Sequence, residues 1–194
     1  MSEIELLKTR ILKDGKALPG NILKVDSFLN HQLDVMLLHE MGKEIAARFK
    51  GDGVTKILTI EASGIAVASL CGLVMEVPVV FAKKNQTANL GGDVYSASVE
   101  SFTHNRTYNI CVSKKYLSSA DRILLVDDFL ANGRALLGLS QIVEEAGAEL
   151  VGAAIAIEKG FQGGGDMIRR KGIRVESLAI IDKMDDEGNI TFRA

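Results

Sequence analysis

The residue types best suited to chemistry lie in the segment Ile123-Leu-Leu-Val-Asp-Asp-Phe-Leu-Ala-Asn-Gly-Arg-Ala135. Four apolar residues run into two adjacent carboxylates, Asp127 and Asp128, and Gly133 follows at the head of an amphipathic stretch. An ionised carboxylate only accepts hydrogen bonds, so an adjacent pair suits the two hydroxyls of a vicinal diol. Loop amides at a helix N-terminus, aided by the helix dipole, suit an anion such as phosphate. A diol site and a phosphate site within one short segment together describe a sugar phosphate. The segment has neither the G-x-x-x-x-G-K nor the G-x-G-x-x-G spacing of the common nucleotide loops. An isolated Asp-Asp can equally end a strand and cap a helix. The loop and helix attached in this order favour the ligand-binding reading.

The surrounding pattern is that of an α/β protein. Val54–Ile60 reads as a short strand, Glu61–Gly64 as a turn, Ile65–Met75 as an apolar helix and Val77–Ala82 as a second strand. The rhythm returns as strand 122–126, helix 133–146, strand 150–157, helix 165–171 and strand 173–181. Helices alternating with continuous apolar strands predict a mainly parallel sheet covered on both faces, with ligands at the carboxyl ends of the strands. Ahead of this lie a short helix over 3–13, an ordered loop over 17–31 and an amphipathic helix over 34–50. Asp34 is that helix's N-cap, and Gly51 lies just past its end. Between the halves, 84–93 reads as a mobile polar loop. Residues 94–102 and 107–113 read as a β-ribbon around His104-Asn105-Arg106, and Ile190–Arg193 as a short last strand.

Composition narrows the function. At 194 residues and 47% hydrophobic, the chain fits one domain, 1–194. A net charge of -2 argues against a nucleic-acid partner. The N-terminus has no apolar core resembling a signal peptide, and the longest apolar run, Gly64 to Met75, is short of a membrane span. Cys71 and Cys111 sit in apolar runs outside any C-x-x-C pattern, as buried free thiols in a reducing cytoplasm would. His31, His39 and His104 have no metal-ligand spacing. Lys114-Lys115 and Arg169-Arg170-Lys171 read as solvated surface.

The acidic segment resembles the motif by which type I phosphoribosyltransferases bind phosphoribosyl pyrophosphate (PRPP). Glu61-Ala-Ser-Gly64 is similar to the family's pyrophosphate loop. Phe81-Ala-Lys-Lys84 is similar to its basic segment, and the stretch beyond Lys84 to its closing loop. Leu23-Lys-Val-Asp-Ser-Phe-Leu-Asn30 and Ile157-Glu-Lys159 most resemble the branch that uses xanthine. The resemblance implies a hood over residues 1–33, a core over 34–194, and transfer of a phosphoribosyl group from PRPP to a purine. It assigns catalysis to Asp127 and Asp128. It assigns PRPP binding to Ala131, Asn132, Gly133, Arg134, Ala135, Glu61, Ala62, Ser63, Gly64 and Lys84. Leu23, Asn30 and Lys159 would meet xanthine. Mg2+ would arrive with PRPP rather than in a protein cage, and the assembly would be a cytoplasmic homodimer without membrane or nucleic-acid partners.

Two departures sort the family. Ala131 stands where hypoxanthine-guanine relatives usually place an acid, a pattern shared by the adenine and xanthine branches. Asn132 stands where many relatives have Thr, and keeps a polar side chain there. On the residues alone, Lys159 is either a base donor or a solvated lysine, Leu23 a contact or a core residue, and Asn30 a donor or an ordinary loop side chain. Phe129 either stacks on the purine or packs under the loop. A PRPP-sensing regulator is the rival from another class, and it would generally carry a basic face or an added DNA-binding segment.

Overall fold

The computed structural model describes residues 3–84, 93–101, 106–185 and 187–193. The chain opens with helix α1 (Glu3–Asp14), then strands β1 (Lys16–Leu18) and β2 (Ile22–Lys24), and a single π-turn at Asp26–Asn30. Helix α2 (Val35–Arg48) follows, then β3 (Lys56–Ile60), α3 (Gly64–Met75), β4 (Val79–Lys84), β5 (Val94–Ser101) and β6 (Arg106–Ser113). The second half contains β7 (Arg122–Leu130), α4 (Arg134–Glu145), β8 (Glu149–Lys159), α5 (Gly164–Arg170), β9 (Val175–Met184) and β10 (Ile190–Phe192).

Strands β3 to β10 form one sheet in the order β10-β9-β8-β7-β3-β4-β6-β5. The inner strands β9, β8, β7, β3 and β4 are mutually parallel. β10 is antiparallel to β9, and the β5–β6 ribbon joins β4 antiparallel. Alternation along the strands splits the core in two. Leu124, Val126 and Ala154 face α1, α2 and α3, whereas Ile123, Leu125, Ala153 and Ile155 face α4 and the ribbon. A sheet buried on both faces needs the near-continuous apolar strands seen here. Each Leu or Ile so buried contributes about 1.5–3 kcal/mol. The α2 start is fixed by Asp34, whose Oδ1 accepts from the Leu37 N–H at 3.1 Å.

Several boundaries differ from the sequence expectation. The expected loop over 17–31 contains the β1–β2 hairpin, whose turn is made by Gly20 and Asn21, both at positive φ. β7 continues to Leu130 because Asp127 pairs with Ile155 and Leu130 with Glu158. The two acids therefore lie inside the strand rather than beyond its end. β8 likewise reaches Lys159, and β4 begins at Val79 and reaches Lys84. Of the expected mobile loop over 84–93, residues 85–92 lie outside the described residues, as do 104 and 105 of the expected turn at His104-Asn105-Arg106, whereas Lys84 ends β4 and Arg106 opens β6.

Candidate active site

The carboxyl ends of β3, β4, β7 and β8 converge on the acidic pair. Asp127 and Asp128 are only 7% and 8% exposed, in a strand otherwise walled by aliphatic side chains. Burial pushes the Asp127 carboxyl well above the usual range, and the neighbouring Asp128 charge pushes it further, with Lys84 opposing. Burial also raises Asp128. Hydrogen bonds to Asp127, to the backbone amides of Asp128 and Phe129, and to the Asn30 side chain oppose that rise. Two buried carboxylates in contact do not both ionise readily, and the pair titrates as a unit raised above the ordinary carboxylate range. The Asn30 contact matters because it carries the N-terminal π-turn, far away in sequence, directly to the acids.

The Glu61–Gly64 turn lies beside this pair. A Cβ at Gly64 would fall 2.6 Å from Asp127 Oδ1 and 2.4 Å from Thr59 Oγ1, so the backbone there approaches as only glycine permits. The Lys84 N–H donates to Glu61 Oε1 at 2.6 Å, tying the end of β4 to the turn. The Glu61–Ala62 peptide is cis. Ser63 precedes α3 in helical conformation, leaving its hydroxyl uncommitted to capping. Lys84 Nζ lies 5.6 Å from the Tyr108 ring centroid, and the Tyr108 hydroxyl is raised by burial and then by the Asp127 charge. Tyr108 and the buried Thr59 thus belong to the site, although neither carried a signal in the sequence.

Beyond the acids, residues 131–135 wrap a small cavity of about 120 Å³, lined also by Asp127, Phe129 and Ile155. Asn132 Oδ1 accepts from the Arg134 N–H at 3.1 Å, which holds the loop closed on itself. Gly133, at φ 80, turns the chain into α4, a conformation L side chains avoid. The Arg134 side chain turns away to pair with Glu100 at 2.9 Å, leaving its backbone amide to the loop.

A larger cavity, about 550 Å³, adjoins this loop and is bounded by Gly20, Asn21, Ile22, Ala131, Asn132, Lys159 and Gln162. Lys159 Nζ donates to the Asn21 carbonyl at 2.8 Å and lies 5.5 Å from the Phe129 ring centroid. Burial lowers the Lys159 ammonium from its ordinary value. One face of Phe129 is therefore covered by Lys159, and the ring packs against the core beneath. Leu23 is buried in that core, 6% exposed. Of the residues expected to meet the base, Asn30 contacts Asp128 and Lys159 borders the larger cavity, whereas Leu23 is buried in the core.

The site thus combines a doubly covered, mainly parallel sheet with two buried acids near the end of β7, a glycine-turned loop beside them and a lysine at the end of β8. The family model for the phosphoribosyl transferase domain matches residues 24–190, and the chain belongs to that family. The xanthine phosphoribosyltransferase of Ruminiclostridium cellulolyticum is 57% identical over 189 residues, covering 97% of this chain and 99% of the relative. That of Lachnoclostridium phytofermentans is 54% identical over 191 residues, covering 98% of each. Among solved structures, the adenine phosphoribosyltransferases of Saccharomyces cerevisiae and Rhodothermus marinus share the fold at 21% and 22% identity. Their TM-scores are 0.73 and 0.72, over 91% and 92% of this chain and 98% and 97% of theirs.

Proposed function

We propose that the chain is a purine-salvage enzyme that transfers the 5-phosphoribosyl group of PRPP to xanthine. The products are xanthosine 5′-monophosphate and pyrophosphate. The observation that carries this reading is the pair of adjoining cavities. A loop of backbone amides, 131–135, borders a wider space into which the Lys159 ammonium enters from the end of β8.

In this reading, Ala131, Asn132, Gly133, Arg134 and Ala135 hold the 5′-phosphate, mostly through amides. Asp127 and Asp128 accept the ribose hydroxyls. Their negative charge also stabilises the oxocarbenium-like ribose that forms as the bond to pyrophosphate breaks. Glu61, Ala62, Ser63, Gly64 and Lys84 face the departing pyrophosphate. Lys159 donates to the 6-oxo group, which an amino group at that position could not accept. Asn30 donates toward the 2-position, where xanthine alone of the common purines offers an oxygen. Residues 1–33 form the hood that covers the base, with Leu23 beneath it.

Among the described residues, no group of three or more His, Cys, Asp or Glu side chains is placed to cage a metal. Burial raises both carboxyls of the acid pair, which disfavours their ionised, metal-binding form. This donor set fits Mg2+ held chiefly by the oxygens of PRPP, where it would neutralise the pyrophosphate. No helix of the described residues is long and apolar enough to cross a membrane. A cytoplasmic location, in keeping with the buried free thiols Cys71 and Cys111, and a homodimeric assembly complete the proposal.

The test is a base panel of xanthine, guanine, hypoxanthine and adenine with PRPP, scored for pyrophosphate. Xanthine should give the highest kcat/KM, guanine and hypoxanthine less, and adenine essentially none. Adenine as the best substrate would overturn the reading.

A further inference from the structure

Glu158 immediately precedes Lys159, yet the reaction as described makes no use of it. Its carboxylate is fully buried and takes a bidentate pair from Arg169, with Nη1–Oε1 at 2.9 Å and Nη2–Oε2 at 2.8 Å. Ser177 Oγ donates to the same Oε2, and Arg169 Nη2 also reaches the Val175 carbonyl at 3.3 Å. Burial alone would raise the carboxyl, but the Arg169 and Ser177 hydrogen bonds outweigh it and hold Glu158 below the usual range. A buried ion pair is weak evidence for stability, because desolvation offsets much of its attraction. What it does supply is direction. The two-pronged fork fixes the angle at which Arg169 leaves the sheet.

Arg169 belongs to α5, a helix of 7 residues. A helix this short does not hold itself in place. Its first turn is the surface on which residues 131–133 rest. The Gly164 N–H donates to the Ala131 carbonyl at 3.2 Å, and a Cβ at Gly164 would fall 2.2 Å from that oxygen. A Cβ at Gly133 would meet Met167 Cε at 3.0 Å and Ile168 Cγ1 at 3.2 Å, so the loop's turning residue sits directly on α5. A Cβ at Gly165 would fall 2.0 Å from Glu158 Oε1, so the same turn is pressed onto the buried carboxylate. The contacts therefore run unbroken from Glu158 through Arg169 and α5 to the loop. Lys159 leaves β8 toward the hood instead, where it meets Asn21.

We propose that Glu158 and Arg169 are positioning residues for the 5′-phosphate loop, setting the height of α5 and through it the loop's amides. This rests on the reading of residues 131–135 as the PRPP phosphate site. Loosening the pair should act on PRPP and leave the base largely alone, since Lys159 is tethered on the other side of β8.

The first variant is Arg169→Lys, which keeps the charge and loses the fork. The second pairs Glu158→Gln with Arg169→Met, so that no carboxylate is left buried without a partner. Thermal melts establish that each folds. Displacing a substrate-positioning element by a fraction of an ångström to 1 Å should raise KM for PRPP by about tenfold or more. KM for xanthine should stay within about twofold. Titration calorimetry with ribose 5-phosphate should show a weakening comparable to that in KM for PRPP. An unchanged KM for PRPP in both folded variants overturns the proposal, as does an equal rise for both substrates. Gly133→Val serves as the loop control. If it leaves ribose 5-phosphate binding intact, the loop reading fails and takes this inference with it. If it abolishes binding while the Arg169 variants bind normally, only the positioning role fails.

Discussion

The acid pair should show opposite effects on turnover and on stability. The perturbation is the double substitution Asp127→Asn, Asp128→Asn, which preserves shape and removes both charges. The two carboxyls are in hydrogen-bond contact and nearly inaccessible. Two full charges about 4 Å apart repel by about 4 kcal/mol at an effective dielectric near 20. Burial and this repulsion raise the pair above the ordinary carboxylate range, so the folded chain is penalised for ionising it. Replacing the pair by amides should therefore stabilise the ligand-free fold by about 1 kcal/mol, a rise of roughly 2–4 °C in Tm for a chain of this size. The sign follows from linkage. Both folded carboxyls titrate above their ordinary values, so the pair carries no penalty at acid pH, where it is neutral in the folded and unfolded chain alike. The penalty grows as pH rises through the raised folded values. The Tm gap between variant and wild type should thus be absent at low pH and open toward neutrality. Turnover at neutral pH should fall by about two to three orders of magnitude, as when preorganised groups at a developing charge are removed. Calorimetric melts from pH 4 to 8 and a pyrophosphate-release assay measure both. A folded double variant with near wild-type turnover refutes the diol-holding role. A Tm lowered by several degrees at neutral pH refutes the reasoning about buried like charges.

Lys159→Ala should depress activity on xanthine, guanine and hypoxanthine together, whereas Asn30→Ala should lower activity on xanthine more than on hypoxanthine; steady-state ratios decide both. Gly64→Ala forces a methyl group to within 2.6 Å of Asp127 Oδ1 and 2.4 Å of Thr59 Oγ1, so it should cut kcat by about tenfold or more while the far-UV dichroism stays native. Cys71, whose thiol burial pushes up to about 12, should resist a disulfide reagent at pH 8 in the native protein and react fully in denaturant, as read by absorbance.

The sequence disclosed whatever is local or periodic. The apolar run 123–126 and the acids after it placed β7 and the acidic strand end. Asp34 followed by Leu38, Met41 and Ile45 placed α2. The parts that stayed hidden depend on partners far along the chain. Asp127 looked like a strand terminus because polar residues break an apolar run. Its pairing with Ile155 depends on β8, which lies on the other side of α4. The hairpin strands β1 and β2 are 3 residues each, too short to show alternation, so the stretch reads as an ordered loop. Asn30 could be singled out by resemblance, but nothing in its neighbours announced the contact with Asp128. The run Gly163-Gly-Gly165 at the head of α5 did carry a signal, since successive glycines mark close backbone approach. Its meaning needed the Ala131 carbonyl and the Glu158 carboxylate to be in place.

The bond from Lys159 to the Asn21 carbonyl joins groups 138 positions apart. Ribosomes add about 5–20 residues per second, so the hairpin tip leaves the ribosome roughly 7–28 s before its clasp does. For that interval the β1–β2 hairpin has two three-residue strands and no Lys159 to fasten it. An isolated two-stranded hairpin is marginal in water even at greater length. The loop over 131–135 waits as well, because Gly164 and Met167, on which Ala131 and Gly133 rest, follow Lys159 in the chain. The hairpin's clasp and the loop's support are therefore both completed only as β8 and α5 emerge. A ribosome stalled between the codons for α4 and β8 would carry the hairpin unclasped and the loop unsupported.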